Sequence, residues 1–481
     1  MQRRPVSPEH QEMAFANPYA DAQPPFAADD AEALRISHKI DEEIKVERER
    51  IRKRKAQHKE VKVLLLGQAE SGKSTLQKQF QLYYASQTLD RERPAWRPVV
   101  YFNIIKAVRM ILEDLDTSSF AVQSSPVQSS RLPSPQRSRS HTPSRAHNGH
   151  ESPPIEPEIN TDDIWRDDLA QVRTKLLPLL AAEDTLASGL SGGVTITGGR
   201  TGVFVRAGWQ ALASSTTGRT VPSIVKTNGP AANDLIARIL AASRDEIVAL
   251  WQHPSVRALM NARKLRLEES AAFFLDNIRR ISEPDYLPLT EDILNVRLQT
   301  LGVIEHSFDI NLSGTRVNWL LYDVGGARGQ RHAWVPYFDD ATAIIFLAPI
   351  SAFNQYLDED SRTNRIDDSL QLFTAICSNS LLKNTHLVLM LNKMDILKQK
   401  IESGIKVRKF ITSYGDRPNT FEEVKEYFRA HFLQVHRRND ISKRALYAHF
   451  TSMLDIQATQ KIIVNVGEAI IRSYITDAGL T

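Results

Sequence analysis

Residues 61–75 read Val61-Lys62-Val63-Leu64-Leu65-Leu66-Gly67-Gln68-Ala69-Glu70-Ser71-Gly72-Lys73-Ser74-Thr75. A short apolar run leads into G-x-x-x-x-G-K-S, and a stretch with helical spacing, Leu76 to Tyr84, follows. Strand, loop and helix in that order make this a phosphate-binding loop. Gly67 and Gly72 permit the tight turn, successive backbone N–H groups face the phosphates, Lys73 supplies a point charge, and the Ser74 hydroxyl is suited to ligating Mg²⁺. One nucleotide site is therefore expected.

The chain around this loop has 481 residues, 42% hydrophobic and 25% charged, enough to bury two or three domain cores. Its net charge of +4 is small for this length and implies no particular partner, and no nucleic acid is expected. No run of about 18 apolar residues and no signal-peptide core is present, which argues against a secreted or membrane-spanning protein. The sole cysteine, Cys377, precludes an internal disulfide framework and reads as a small buried side chain on a helix.

Composition then changes along the chain. Residues 1–35 are rich in Pro, Ala and Gln and read as disordered. Residues 36–60 read as a charged, solvated helix, with a basic cluster from Arg48 to Lys55 that reads as an exposed helix face, a partner-docking helix or, over 45–59, a weak and salt-dependent anionic-membrane contact. Helical spacing recurs at Val99–Leu115, Ile164–Leu180, Ala231–Trp251 and Leu265–Ile281. Two low-complexity stretches, 117–160 and 188–223, interrupt it and read as disordered insertions. Apolar runs at Val303–Ile310, Val317–Tyr322, Ala343–Leu347 and Leu387–Leu391 then read as strands of a mostly parallel sheet. A phosphate loop followed so much later by further strands implies one sheet domain (61–90 and 291–481) interrupted by a helical one (91–290).

Two segments narrow the ligand. Asp323-Val324-Gly325-Gly326 follows a strand, so the carboxylate is suited to holding Mg²⁺ through water and the Gly326 N–H to meeting a γ-phosphate. Asn392-Lys393-Met394-Asp395 also follows a strand. Asp395 can accept two hydrogen bonds from guanine N1–H and its exocyclic amine, a donor pair adenine lacks. The combination selects GTP/GDP and leaves an ATP-using kinase or transporter reading with little support.

With these motifs in order, the chain resembles the α subunits of heterotrimeric G proteins. Ala69-Glu70-Ser71-Gly72-Lys73-Ser74-Thr75, Asp292-Ile293-Leu294-Asn295-Val296-Arg297-Leu298-Gln299-Thr300, Glu269-Ser270-Ala271-Ala272-Phe273-Phe274-Leu275 and Tyr447-Ala448-His449-Phe450-Thr451-Ser452 are similar to the family's phosphate loop, switch I, end of the helical domain and last guanine-contacting strand and loop. The resemblance implies an α/β fold: a Ras-like P-loop GTPase domain with a mostly parallel six-stranded sheet, interrupted by an all-α helical domain. Arg297 would be the cis arginine stabilising the transferring phosphoryl group. Ser74 and Thr300 would ligate Mg²⁺, with Asp323 behind them. Glu70, Ser71, Gly72, Lys73, Ser74, Thr75, Ser270, Leu294, Arg297, Thr300, Asp323, Gly326, Asn392, Lys393, Asp395, Ser452 and Met453 would bind nucleotide. Glu70 would pair with Arg297, and Glu269 with Lys393 across the domain cleft. Trp334 resembles the switch II tryptophan that reports nucleotide state. Implied partners are a βγ dimer, an effector and, through the C-terminal tail Asp477–Thr481, a seven-helix receptor.

Departures from the family pattern bear on rate and location. Where the family has the glutamine that orients the attacking water stands Ala327, whose methyl can neither accept nor donate a hydrogen bond. Gln330 would replace it only if switch II were wound differently. Ala69 stands for a glycine, and its Cβ would crowd the γ-phosphate. Hydrolysis is therefore expected to be slow, the alternative being a signalling scaffold without effective GTPase activity. Met453 in the guanine loop is bulkier than the family residue. The second-position glycine for N-myristoylation is missing and no cysteine stands near it, so the expected location is cytoplasmic, peripheral at the plasma membrane through partners.

Overall fold

The computed structural model describes residues 60–123, 161–191, 204–205, 230–262, 265, 267–300, 302–312 and 315–477, with scattered residues between 35 and 46. The chain falls into two units, Met1–Glu60 and Val61–Thr481. In the first, the described residues between Arg35 and Val46 are helical and exposed; the basic cluster at 48–55 lies outside the described residues.

Among the described residues, the main sheet has six strands: β1 (Glu60–Leu66), β2 (Val303–Leu312), β3 (Thr315–Val324), β4 (Ala343–Pro349), β5 (His386–Asn392) and β6 (Leu446–Phe450). Their spatial order is β2-β3-β1-β4-β5-β6. β1–β4, β4–β5 and β5–β6 pair in parallel, whereas β2 and β3 form an antiparallel hairpin. Every residue of β4 is buried, as a central parallel strand covered on both faces requires.

Alternation along the strands sorts their side chains onto two faces. Leu64, Leu66, Ile344, Phe346, Leu387 and Leu389 pack with residues of α4 (Arg365–Cys377), α5 (Met394–Glu402) and α6 (Phe421–Asn439). Here Phe346 is 0% exposed with its ring centroid 5.0 Å from that of Phe373, so truncating it to Ala would cost about 3–5 kcal/mol. The opposite face, Val63, Leu65, Ile345, Leu347, Val388 and Met390, packs with Leu76 and Phe80 of α1 (Lys73–Tyr84) and with Ile463 and Val466 of α7 (Ile456–Asp477). Cys377 ends α4 fully buried, and burial pushes its thiol up to about 12.

A third apolar cluster is built mainly from helices. It joins α2 (Ser86–Gln123) through Val99, Val100, Ile104 and Ile111 to α3 (Thr161–Ser191) through Leu176 and Leu179, and to Leu240, Leu250 and Phe274. The helical periodicity is right in kind and imperfect at its edges. Ala231–Trp251 breaks at Ser243 into Pro230–Ala242 and Arg244–Gln252. Leu265–Ile281 is helical only over Ala271–Asp276 and Ile278–Ile281, where Asn277 turns its amide back onto the Phe273 carbonyl at 2.8 Å. α2 runs to Gln123 and α3 to Ser191, so helix reaches a few residues into each low-complexity stretch. Within the second, Phe204–Val205 pairs in parallel with Gln299–Thr300; residues 124–160, 192–203 and 206–229 lie outside the described residues.

Candidate nucleotide site

Open α/β sheets bind ligands beyond the carboxyl ends of their strands, where the strand order reverses. After β1 the chain lays β3 on one side and β4 on the other, so the reversal falls at β1. The candidate residues follow β1, β3, β5 and β6. In the phosphate loop Gly72 has φ +102°, and a Cβ there would fall 2.3 Å from Asn392 Nδ2, so only glycine fits. Glu70 and Lys393 adopt left-handed backbone (φ 61° and 65°), a conformation non-glycine residues hold mostly where function demands it. Lys73 curls across the loop and donates to the carbonyls of Gly67 (3.0 Å) and Gln68 (2.6 Å). Burial draws its ammonium down to about 8, with Asp323 opposing the shift.

The metal corner is assembled from three segments. Ser74 Oγ donates to Asp323 Oδ2 at 2.6 Å, Thr300 Oγ1 donates to the same oxygen at 3.0 Å, and the two hydroxyls stand 3.1 Å apart. Asp323 Oδ1 is buried with no hydrogen-bond partner. Two hydroxyls and a carboxylate with an unmet buried oxygen form an all-oxygen set, the donor chemistry that suits Mg²⁺.

Arg297 is held on both sides. Its guanidinium pairs with Glu70 and, at 2.9 Å, with Glu268, which also accepts from Lys106 at 2.6 Å. Asn103 of α2 fixes its backbone, Oδ1 accepting from Arg297 N (3.0 Å) and Nδ2 donating to Arg297 O (3.3 Å). The Arg297 Nε remains buried and unpartnered. Burial pushes the Glu70 carboxyl up, but Arg365, Arg297 and Lys393 together outweigh it and hold it at about 2. Lys78, fully buried in α1, donates to Ile293 O (2.7 Å) and Val296 O (3.0 Å), tying the phosphate-loop helix to the approach to Arg297. Desolvation brings its ammonium down to about 7.

The base end is a closed network. Asn392 Nδ2 donates to Ser71 O (2.8 Å), Thr451 Oγ1 donates to Asn392 Oδ1 (3.1 Å), and Ser452 Oγ donates to Asp395 Oδ1 (3.1 Å) while accepting from Asp395 N (3.1 Å). Lys393 pairs with Glu269. Met453 is buried at 4% in the sheet core, its carbonyl accepting from Gln79 at 2.8 Å. Its bulk is thus spent on packing.

After β3 the chain enters a 3₁₀ helix, Arg328–Tyr337, with Ala327 at its N-cap in extended backbone. Trp334 is buried and donates from its indole to Gly325 O at 2.9 Å. Arg328 and Arg331 reach Asp368 on α4 (3.1 and 2.6 Å), which also accepts from Gln68 of the phosphate loop at 2.7 Å. The Gly326 backbone lies against that loop, where an added Cβ would sit 2.4 Å from Ala69 N.

The structure thus brings together Glu70, Ser71, Gly72, Lys73, Ser74, Arg297, Thr300, Asp323, Asn392, Lys393, Asp395, Ser452 and Met453, with Gly326 against the loop. Thr75 follows Ser74 in the first turn of α1, Leu294 is buried on Thr290–Asn295, and Ser270 caps Ala271–Asp276 beside Asn103 and Glu268. Gln68, Lys78, Asn103, Glu268, Arg365 and Asp368 belong to the same constellation, yet no motif marks them. Of these, Asn103 left a sequence signal, as a polar residue inside the apolar periodicity of Val99–Leu115.

A family model described as G-protein alpha subunit matches residues 34–470. The chain is 32% identical, over 490 aligned residues, to the guanine nucleotide-binding protein alpha-4 subunit of Mycosarcoma maydis, with 87% of this chain and 83% of that protein covered. To the alpha-1 subunit of the same organism it is 28% identical, with 89% and 92% covered.

Proposed function

The chain belongs to the G-protein alpha subunit family, whose members bind guanine nucleotides in signalling and are in general GTPases, and from that premise we propose a GTP-holding switch that hydrolyses slowly. The observation that carries this reading is a pairing of completeness with deficiency. The base end is fully networked, whereas the methyl of Ala327 stands where the family's water-orienting glutamine would be.

On this reading Asp395 accepts from guanine and Asn392 joins the base loop to the phosphate loop. Lys73 exchanges its two loop carbonyls for phosphate oxygens. Ser74 and Thr300 would hold Mg²⁺, with Asp323 behind them, and the ion would supply neutralisation of phosphate charge. Arg297 leaves Glu268 or Glu70 to face the γ-phosphoryl group. A βγ dimer, an effector and a seven-helix receptor are the partners, and the cytoplasmic face of the plasma membrane is the location.

Single-turnover phosphate release from preloaded GTP tests the proposal. Tight GTP binding with release well below the family's usual rate is expected, and release at that usual rate would refute slow hydrolysis. The double pairing of Arg297 favours a second reading, a nucleotide-bound scaffold. Tight binding with no release over many hours is its signature.

A further inference from the structure

A 3₁₀ helix has three residues per turn, so side chains at i and i+3 stand one above the other. The segment after β3 is wound this way, and the Gln330 N–H donates to the Ala327 carbonyl at 3.0 Å. That bond closes the first turn, and the Gln330 carboxamide lies back against Gly325, two residues before Ala327. Its Oε1 is buried and has no hydrogen-bond partner. A buried acceptor left unpaired is costly, and it persists where a ligand or water completes it.

The surroundings of that oxygen indicate what completes it. A Cβ on Gly325 would fall 1.6 Å from Gln330 Oε1 and 2.8 Å from the Thr300 carbonyl oxygen. Only a glycine at 325 lets the carboxamide approach so closely, and it leaves Gln330 Oε1 and the Thr300 carbonyl oxygen beside the same residue. Two neighbouring acceptors are met together by a donor with two hydrogens, which water is, and a water that gives one hydrogen to each keeps a lone pair for attack. Close by stand Gly326, which packs on the phosphate loop, and the Thr300 hydroxyl of the metal corner.

We propose that Gln330 is the catalytic residue that orients the attacking water in GTP hydrolysis by this chain, in place of residue 327. The inference rests on the GTP-switch reading above. As the water oxygen bonds to the γ-phosphorus, the bond from phosphorus to the β–γ bridging oxygen breaks and its electron pair leaves with GDP. The proton released by the water ends on the phosphate product. Gln330 is neither protonated nor consumed; it fixes the water's direction of approach, a positioning effect. Reaching in from one turn further along the chain, beside the extra methyl of Ala69, it sustains a slow reaction.

Phosphate release from preloaded GTP in a single turnover decides this, with full-length wild type, Gln330→Ala, Gln330→Met and Ala327→Gln/Gln330→Ala. Both single variants should release phosphate about tenfold or more slowly, with binding of a non-hydrolysable GTP analogue and the Trp334 fluorescence change on loading unaltered. The methionine variant keeps the side-chain volume should the alanine one fail to fold. Glutamine at 327 should restore release in the double variant, which loss of packing alone would not allow. Equal rates in wild type and Gln330→Met, with analogue binding intact, would overturn the role of Gln330 and leave the switch reading standing. Failure of the wild type to bind the analogue would overturn both.

Discussion

The two ends of the nucleotide site are held in different ways. At the base end Asn392, Asp395, Thr451 and Ser452 satisfy one another from segments that follow two adjacent strands. At the γ-phosphate end Arg297 Nε, Asp323 Oδ1 and Gln330 Oε1 are all buried and unpartnered. One end is built in advance, and the other keeps bonding capacity in reserve for what it will hold. On the proposed reading, recognition and turnover depend on separate residues, with Ala69 and Ala327 on the turnover side.

The most severe way to break this contrast is at the base. Asp395→Asn removes the only carboxylate of the base motif, and GTP should bind about 100-fold more weakly, a loss of about 3 kcal/mol, in competition with a fluorescent guanine nucleotide. Xanthine, which presents a carbonyl where guanine has its amine, should gain affinity in the same assay. Retained guanine preference would show that the closed network is not the recognition element. At the other end Ala327→Gln should speed single-turnover hydrolysis about tenfold while leaving GTP affinity within about threefold. An affinity change as large as the rate change would mean that the two ends are not separable.

The smallest effect concerns the ion pairs that Glu70 makes with Arg297 and Arg365. Glu70 is held at about 2 against an ordinary 4.5, so its pairing stabilises the fold fully above pH 4.5 and is lost as pH falls from there towards 2. Glu70→Gln should lower unfolding free energy by about 1 kcal/mol at pH 7, a modest value because the pair is partly exposed. The deficit should shrink in urea melts as the pH is taken below 4.5. A deficit that does not change over that range would assign the effect to packing.

What the sequence revealed and what it concealed follow from the range of the interactions involved. The phosphate loop, Asp323 and Asn392–Asp395 are legible because each is local, a few residues fixed at the end of an apolar strand. Gln68 and Arg365, 297 residues apart, and Asn103 and Arg297, 194 apart, meet only through the finished topology. Nothing in the local pattern around Asn103 could name its partner. The 3₁₀ winding of Arg328–Tyr337 was equally hidden, because its register against Gly325 and Thr300 is set by tertiary contacts from Trp334 and Asp368. Periodicity read the helical region well where helices are long, as in α2 and α3. It overran where a single polar residue such as Asn277 stops a short one.

The insertion of a whole helical region between β1 and its neighbours also sets a timetable. Lys62 N bonds to Thr342 Oγ1, a partner 280 residues later, and β1 lines up along β4 from Val63 against Ala343 onwards. At ribosomal speeds of about 5–20 residues per second, β1 emerges tens of seconds before the strand that will cover its edge is made. During that interval the helical cluster can close on itself, whereas until the β2–β3 hairpin is made Val61 to Leu66 wait as an apolar strand with no sheet to join. Nascent chains stalled before residue 303 should accordingly be protected from protease through α2 and α3 and cut near β1, and protection of β1 at that length would show that its shelter comes from elsewhere.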